Sequence, residues 1–266
     1  MQRWALVLFQ KHETSHLKPP LGSPMTSASS PISTFSIVGQ CPRTKMLGVG
    51  IASKYLAVGA VCSHTQAGVG AISTQAYGNP YLGFDGLRLL GQGLDAQAAL
   101  EQVLDQDPGR EKRQLIIVDS AGQTAAFTGT LVSPWHGQQT GPGYAVAGNM
   151  LVGDAVLPAM SQAFEESETE ELAERLLQAL EAGQLAGGDR RGRQAAHLQV
   201  VDREAWKYVD LRVDEHTEPI IELRRIFEIA KRELFPFRKL YPSRHQQGSD
   251  WNLAEYEQLI SAGKNE

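Results

Sequence analysis

Cysteine is nearly absent. Two in 266 residues leave no framework for a disulfide-stapled fold, and Cys41 and Cys62 each sit in an apolar run that reads as strand, as buried reduced thiols. The seven histidines are scattered, and no Cys/His spacing matches a structural zinc site, so no metal or other cofactor is expected. Positive charge is short as well. With 25 Lys and Arg against 30 Asp and Glu, the net charge is −5, the wrong sign for a nucleic-acid-binding surface. No segment approaches the run of about 20 apolar residues that spans a bilayer. The short patch WALVLF (4–9) is less than a signal-peptide core, and HETSHLKPP follows where a small-residue cleavage site would stand. The expected setting is cytoplasmic, without nucleic acid or membrane as partner. The catalytic signatures GxSxG, P-loop, GxGxxG and HExxH are missing too; GVGIAS and GVGAIS end in Ser where a third Gly would be needed.

What is present begins abruptly. Residues 10–33 are rich in Ser, Pro, Thr and Lys, which reads as leader composition, with Met25 an alternative start. From Thr34 the runs TFSIVG, MLGVGIAS, AVGAVCS and AGVGAISTQA read as strands. They are built from Gly, Ala and Val, which suits a sheet covered on both faces, with glycines such as Gly48, Gly50, Gly68 and Gly70 placed for close approach. The period then becomes helical in YLGFDGLRLLGQG and in LDAQAALEQVLDQD, the latter capped by Asp95. RQLIIVD, TAAFTG and YAVAGN return to strand. Two helices follow, VGDAVLPAMSQAFEES and TEELAERLLQALEAG, the second capped at Thr169 and stopped by Gly183. RQAAHLQVVD and KYVDLRVD are a last strand pair, and TEPIIELRRIFEIAKREL is an amphipathic helix with Pro219 in its first turn. His197, inside a strand run, reads as a satisfied core group.

This order is not the βαβ alternation of a parallel sheet. It predicts an α+β fold, a sandwich of two antiparallel sheets with helices outside. The division expected is a leader or mis-assigned start over 1–33, one domain over 34–234, and a tail over 235–266 with a short helix, read as a tail or an oligomer contact. A homo-oligomer is expected.

Several polar groups stand at strand ends. Thr34 alone simply opens a strand, where threonine is common. Ser53 and Lys54 end the returning strand, and Lys54 is placed to orient a neighbour or lower its pKa. Thr74, Gln75 and Asn79 in STQAYGNP, with Asn149 in AGNM, are candidate oxyanion donors, although Asn79-Pro80 also reads as turn capping. GGDRRGRQ places Arg190, Arg191 and Arg193 within four residues of an acidic chain, after two glycines and Asp189. Guanidinium forks pair with carboxylates, so this cluster is a candidate for the anionic end of a substrate, with Gln194 as an amide donor; a solvated turn is the plain alternative. Trp135 and His136 are candidates to wall a pocket or pack a loop.

The segments TFSIVGQCPRTKMLGVGIASKYLAVGAV, AGVGAISTQAYGNPYLGFDGLRLL, RQLIIVD, AAFTG, AVAGNML, AERLLQALEAG, GGDRRGRQ and DLRVDEHTEPIIELRR, in that order, resemble the family catalogued as domain of unknown function 1028, over about Thr34 to Leu234. That family is classed with the N-terminal-nucleophile (Ntn) hydrolases. The resemblance implies a four-layer αββα sandwich and a hydrolase acting on an amide C–N bond of a small substrate, with Thr34 as nucleophile and its own α-amine as base. The stretch around Ser53 and Lys54 is similar to the proteasome-subunit pattern that carries polar groups toward the nucleophile. In the family the opening commonly reads Met-Thr-Phe-Ser, where loss of Met frees the threonine. Here Ser33 precedes Thr34, so that mechanism requires cleavage of the Ser33–Thr34 bond. The rival expectation is a non-catalytic Ntn-fold protein that binds a ligand or assembles into oligomers.

Overall fold

The computed structural model describes residues 34–238, 240–244 and 253–262. The leader assigned to 1–33 and part of the C-terminal tail lie outside the described residues.

Chain order gives β1 (Thr34–Gln40), β2 (Leu47–Ser53), α1 (Gly59–Cys62), β3 (Ser63–Gln66), β4 (Gly70–Ala76), α2 (Tyr81–Gly91) and α3 (Ala96–Asp105). Then come β5 (Arg113–Asp119), β6 (Thr124–Thr128), β7 (Gly137–Gly141), β8 (Tyr144–Asn149), α4 (Val156–Glu166) and α5 (Leu172–Leu185). The chain continues through β9 (Ala195–Val201), β10 (Val209–Val213), α6 (Pro219–Glu233), α7 (Phe235–Arg238) and α8 (Leu253–Ala262). The strands form two antiparallel sheets, one ordered β10-β9-β2-β1-β8-β7 and the other β3-β4-β5-β6.

Strand alternation builds the layers. In β1, Phe35 and Ile37 point to the outer face and pack with Met160, Phe164, Leu176 and Leu180 of α4 and α5. Thr34, Ser36 and Val38 point the other way, and Val38 meets Ala71, Ile116 and Val118 of the second sheet. That sheet turns Ile72, Leu115 and Ile117 outward against α2 and α3. The result is helices, sheet, sheet, helices: the four-layer sandwich expected, with β1 and β2 buried along their whole length. Gly48 shows why small residues fill these strands, since a Cβ there would lie 2.7 Å from Leu176 Cδ1 and 2.9 Å from the Gln199 carbonyl. Gly68 serves a turn instead, at φ 68.

Three local readings need correction. AVGAVCS is not a strand. Its residues Gly59–Cys62 form the single turn α1, which buries Val58 and Cys62 together against Ile51 and Ala195, and the strand starts only at Ser63. Gly183 does not stop α5 and Thr169 does not cap it. The helix runs Leu172–Leu185, Gly183 packs on Met160 inside it, and Gly187 and Gly188 (φ 117 and 62) turn the chain beyond it. The edge strand β7 goes unseen in the sequence because GQQTG has neither β-branched residues in series nor an apolar face. Asp95 caps α3 as read, accepting from the Ala98 amide at 2.8 Å. Both cysteines are buried and unbridged. Among the described residues no helix is long and apolar enough to cross a membrane.

The outer helices are tied by charge. Arg224 of α6 lies 2.8 Å from Glu174 and 2.8 Å from Glu181 of α5, and Lys231 lies 2.8 Å from Glu174. Burial raises the Glu174 carboxyl, but hydrogen bonds from Arg224, Lys231 and Gln178 outweigh it and hold the pKa at about 2. A depressed carboxylate contributes stability above its unfolded pKa and loses it as pH falls toward the folded one. Acidification from pH 4.5 to 2 should therefore remove on the order of 2–3 kcal/mol from this site. Melting curves of the wild type and Glu174→Gln across that window check it; equal slopes would show that the network adds nothing.

Candidate active site

The site is assembled where β1, β2 and β8 end side by side. Thr34 is in register with Ser53 on β2 and with Asn149 on β8. All three point into the layer between the sheets and are almost fully buried, Thr34 at 0% exposure. The Thr34 hydroxyl donates to Ser53 Oγ at 3.4 Å, a long contact.

Beneath them lies a network that crosses from one sheet to the other. Gln114 of β5 accepts from Asn149 Nδ2 at 3.1 Å and from Gln75 Nε2 at 2.7 Å. Its own amide donates to Thr128 Oγ1 and to the carbonyls of Gly137 and Gly148, at 2.9, 3.0 and 2.9 Å. Gln75 in turn accepts from Ser36 Oγ at 2.7 Å. Thus Gln75, a candidate oxyanion donor, spans the sheets and gives its amide to Gln114 beneath the site. Gln114 and Ser36 were missed. The available signals were that Ser36 follows Thr34 by one strand period and that Gln114 is an amide in an otherwise apolar run.

The loop after α5 closes one side. Met150 adopts φ 51, and its carbonyl accepts from the Arg190 amide at 3.0 Å, while Leu151 bridges to Asp189. The Asp189 carboxylate, 5% exposed, accepts from the Lys54 amide at 3.0 Å and the Arg191 amide at 2.9 Å. It also pairs with the Arg191 guanidinium at 3.2 Å, and that guanidinium reaches the Lys54 carbonyl at 3.1 Å. Gln194 joins through its backbone, its amide donating to the Ser53 carbonyl at 3.1 Å.

Other expected residues are placed elsewhere. Lys54 turns its ammonium to the Arg193 carbonyl at 3.2 Å, and Arg193 pairs with Glu218. Thr74 donates to the Asn79 carbonyl at 3.3 Å, and Asn79 Oδ1 accepts from the Tyr81 amide at 3.2 Å, so both finish the turn into α2. Trp135 packs on the outer core against Gly137. Among the described residues no cluster of three or more His, Cys, Asp or Glu is placed to hold a metal.

Fold and site together define a four-layer α/β/β/α protein with a threonine heading its central strand, between a serine and an asparagine. The chain belongs to the family of unknown function DUF1028, whose model matches residues 34–223. It is similar to the crystal structure of protein SPO2555 from Silicibacter pomeroyi, also of that family, with 30% identity, a TM-score of 0.75, and coverage of 82% of this chain and 98% of that one. A fainter similarity, to Anbu (ancestral beta-subunit) from Yersinia bercovieri, has 10% identity, a TM-score of 0.40, and coverage of 76% and 96%; no residue correspondence follows at that level. No match was found among curated proteins.

Proposed function

We propose that this chain is a hydrolase of the N-terminal-nucleophile type, cleaving an amide C–N bond in a small substrate that carries a carboxylate. The observation that supports it is the position of Thr34, at the head of β1 in register between Ser53 and Asn149, with its hydroxyl 3.4 Å from Ser53 Oγ. Cleavage of the Ser33–Thr34 bond frees an α-amine, which titrates near pH ~7.7–8.0 and is therefore a competent base at working pH. The amine takes the hydroxyl proton, Oγ1 attacks the carbonyl carbon, the amine leaving group departs with that proton, and water releases the acyl group. Asn149 is the candidate oxyanion donor. The loop carrying Arg190 and Arg191 is the candidate carboxylate contact.

N-terminal sequencing and intact mass of the purified protein test this reading. The expected chain begins at Thr34; a chain that keeps Ser33 under all conditions overturns it. The complete burial of Thr34 favours a second reading, a non-catalytic member of the family that binds a ligand or assembles, and retention of Ser33 with no turnover would support it.

A further inference from the structure

A second polar cluster lies in the layer between the sheets, where β3 faces β9 and β10. Ser63 opens β3, and its hydroxyl is 3.0 Å from Nδ1 of His197 on β9. Nε2 of the same ring is 2.8 Å from Oδ1 of Asp210 on β10. A carboxylate accepts, so in the neutral ring Nε2 carries the proton. Nδ1 is then a lone pair, and the Ser63 hydroxyl donates to it. Hydroxyl, imidazole and carboxylate follow one another in the order that activates a serine for attack. The ring nitrogens are used in the opposite sense to the protease triad, but either tautomer leaves one nitrogen to take a proton, so the logic is the same.

The surroundings hold this tautomer. Asp210 Oδ2 accepts from Gln199 Nε2 at 3.3 Å, Gln199 Oε1 accepts from Thr65 Oγ1 at 2.8 Å, and Lys207 Nζ donates to Thr65 Oγ1 at 2.9 Å. The hydrogen bond from His197 keeps the Asp210 carboxyl below its ordinary range despite partial burial. Helix α1 lies against the imidazole so closely that a Cβ on Gly59 would come within 2.4 Å of its Cγ, and His197 is 1% exposed. The two ends of the relay reach solvent, since Ser63 is half-buried and the Asp210 side chain is 40% exposed. A fixed, buried base between a partly exposed serine and a surface carboxylate is what a nucleophilic serine needs.

We propose that Ser63, His197 and Asp210 form a second reactive centre, separate from Thr34, in which Ser63 is a base-activated nucleophile toward acyl esters and their organophosphorus analogues. As Ser63 Oγ bonds to the ester carbonyl carbon, its proton passes to His197 Nδ1. The bond to the leaving alkoxide breaks and the alcohol departs with that proton. Water, deprotonated by the same nitrogen, then releases the acid and restores the serine. With a fluorophosphonate the Oγ–P bond forms, P–F breaks, fluoride leaves, and the proton goes to the imidazole and on to solvent. The proposal does not depend on Thr34 or on cleavage of the bond before it.

The test treats the full chain with a fluorophosphonate probe and maps the adduct by peptide mass spectrometry, which separates Ser63 from Thr34 directly. Ser63 is expected to carry the adduct in the wild type and Ser63→Ala to lose it. Asp210→Asn, which changes a half-exposed side chain and spares the core, should label at least about tenfold more slowly with an unchanged melting temperature, because the amide no longer enforces the tautomer. No adduct on Ser63 in the folded wild type, or equal labelling of Asp210→Asn, overturns the proposal.

Discussion

Replacing Thr34 with alanine is expected to lower the hydrolysis of amino-acyl and γ-glutamyl p-nitroanilides by at least about 10³-fold, the scale seen when a nucleophile is removed and the rest of a site remains. Thr34→Ser should retain turnover, since the hydroxyl survives; the loss of the branched methyl frees χ1 and slows the reaction without stopping it. Both variants should fold. The backbone of β1 is held by ladders on both sides, and neither substitution touches it. Melting temperature therefore serves as the control. Turnover that survives in a folded Thr34→Ala protein would remove Thr34 from the reaction and shift attention to other hydroxyls.

The second large effect concerns stability. Gln114→Leu fills a similar volume but deletes an amide that meets both sheets. It would leave the carbonyls of Gly137 and Gly148 without that donor, and Gln75 Nε2 and Asn149 Nδ2 without that acceptor, all inside the molecule. Each buried polar group deprived of its partner costs roughly 1–3 kcal/mol, and the costs are not additive, so a loss of about 3–4 kcal/mol is expected. Urea unfolding measures it. A change below about 1 kcal/mol would mean that water replaces the amide and that the network is dispensable. Because Asn149 stands beside Thr34, the same substitution should also disturb the site.

The sequence made the layering legible through period. Alternation in TFSIVG separates Phe35 and Ile37 from Ser36 and Val38, and the small residues of β2 announce a strand covered twice. Where period was short, the reading failed. AVGAVCS is apolar throughout, and such a run does not distinguish a strand from the helical turn that forms at Gly59–Cys62. For the candidate site, Thr34, Ser53 and Asn149 each stand at a strand end, and the register brings them side by side. Asn79 faces its own turn through the Tyr81 amide two residues on, the local arrangement that Asn79-Pro80 suggests. An amide or ammonium at a strand end can face the centre or the turn, and for Gln75 and Lys54 the choice is made by long-range partners, Gln114 and Arg193, that no local pattern reveals. His197 was read as a satisfied core residue, and it is satisfied. Its partners, Ser63 and Asp210, lie 134 and 13 positions away and belong to different sheets, so no local pattern announces them.

The two sheets do not meet in the same way throughout. Around Val38, Val49, Ala71 and Val118 they touch through methyl groups, and contacts of that kind specify no position to within an ångström. At the Thr34 end they are cross-bonded through Ser36, Gln75, Gln114 and Asn149, where a small slip would stretch several directional bonds together. The methyl contact is itself flanked by further cross-bonds, Thr65 to Gln199 at 2.8 Å and Gln40 to the Ser120 carbonyl at 3.2 Å. The sheets are therefore tied on more than one side of a featureless apolar patch, and the threonine stays where those directional bonds hold it.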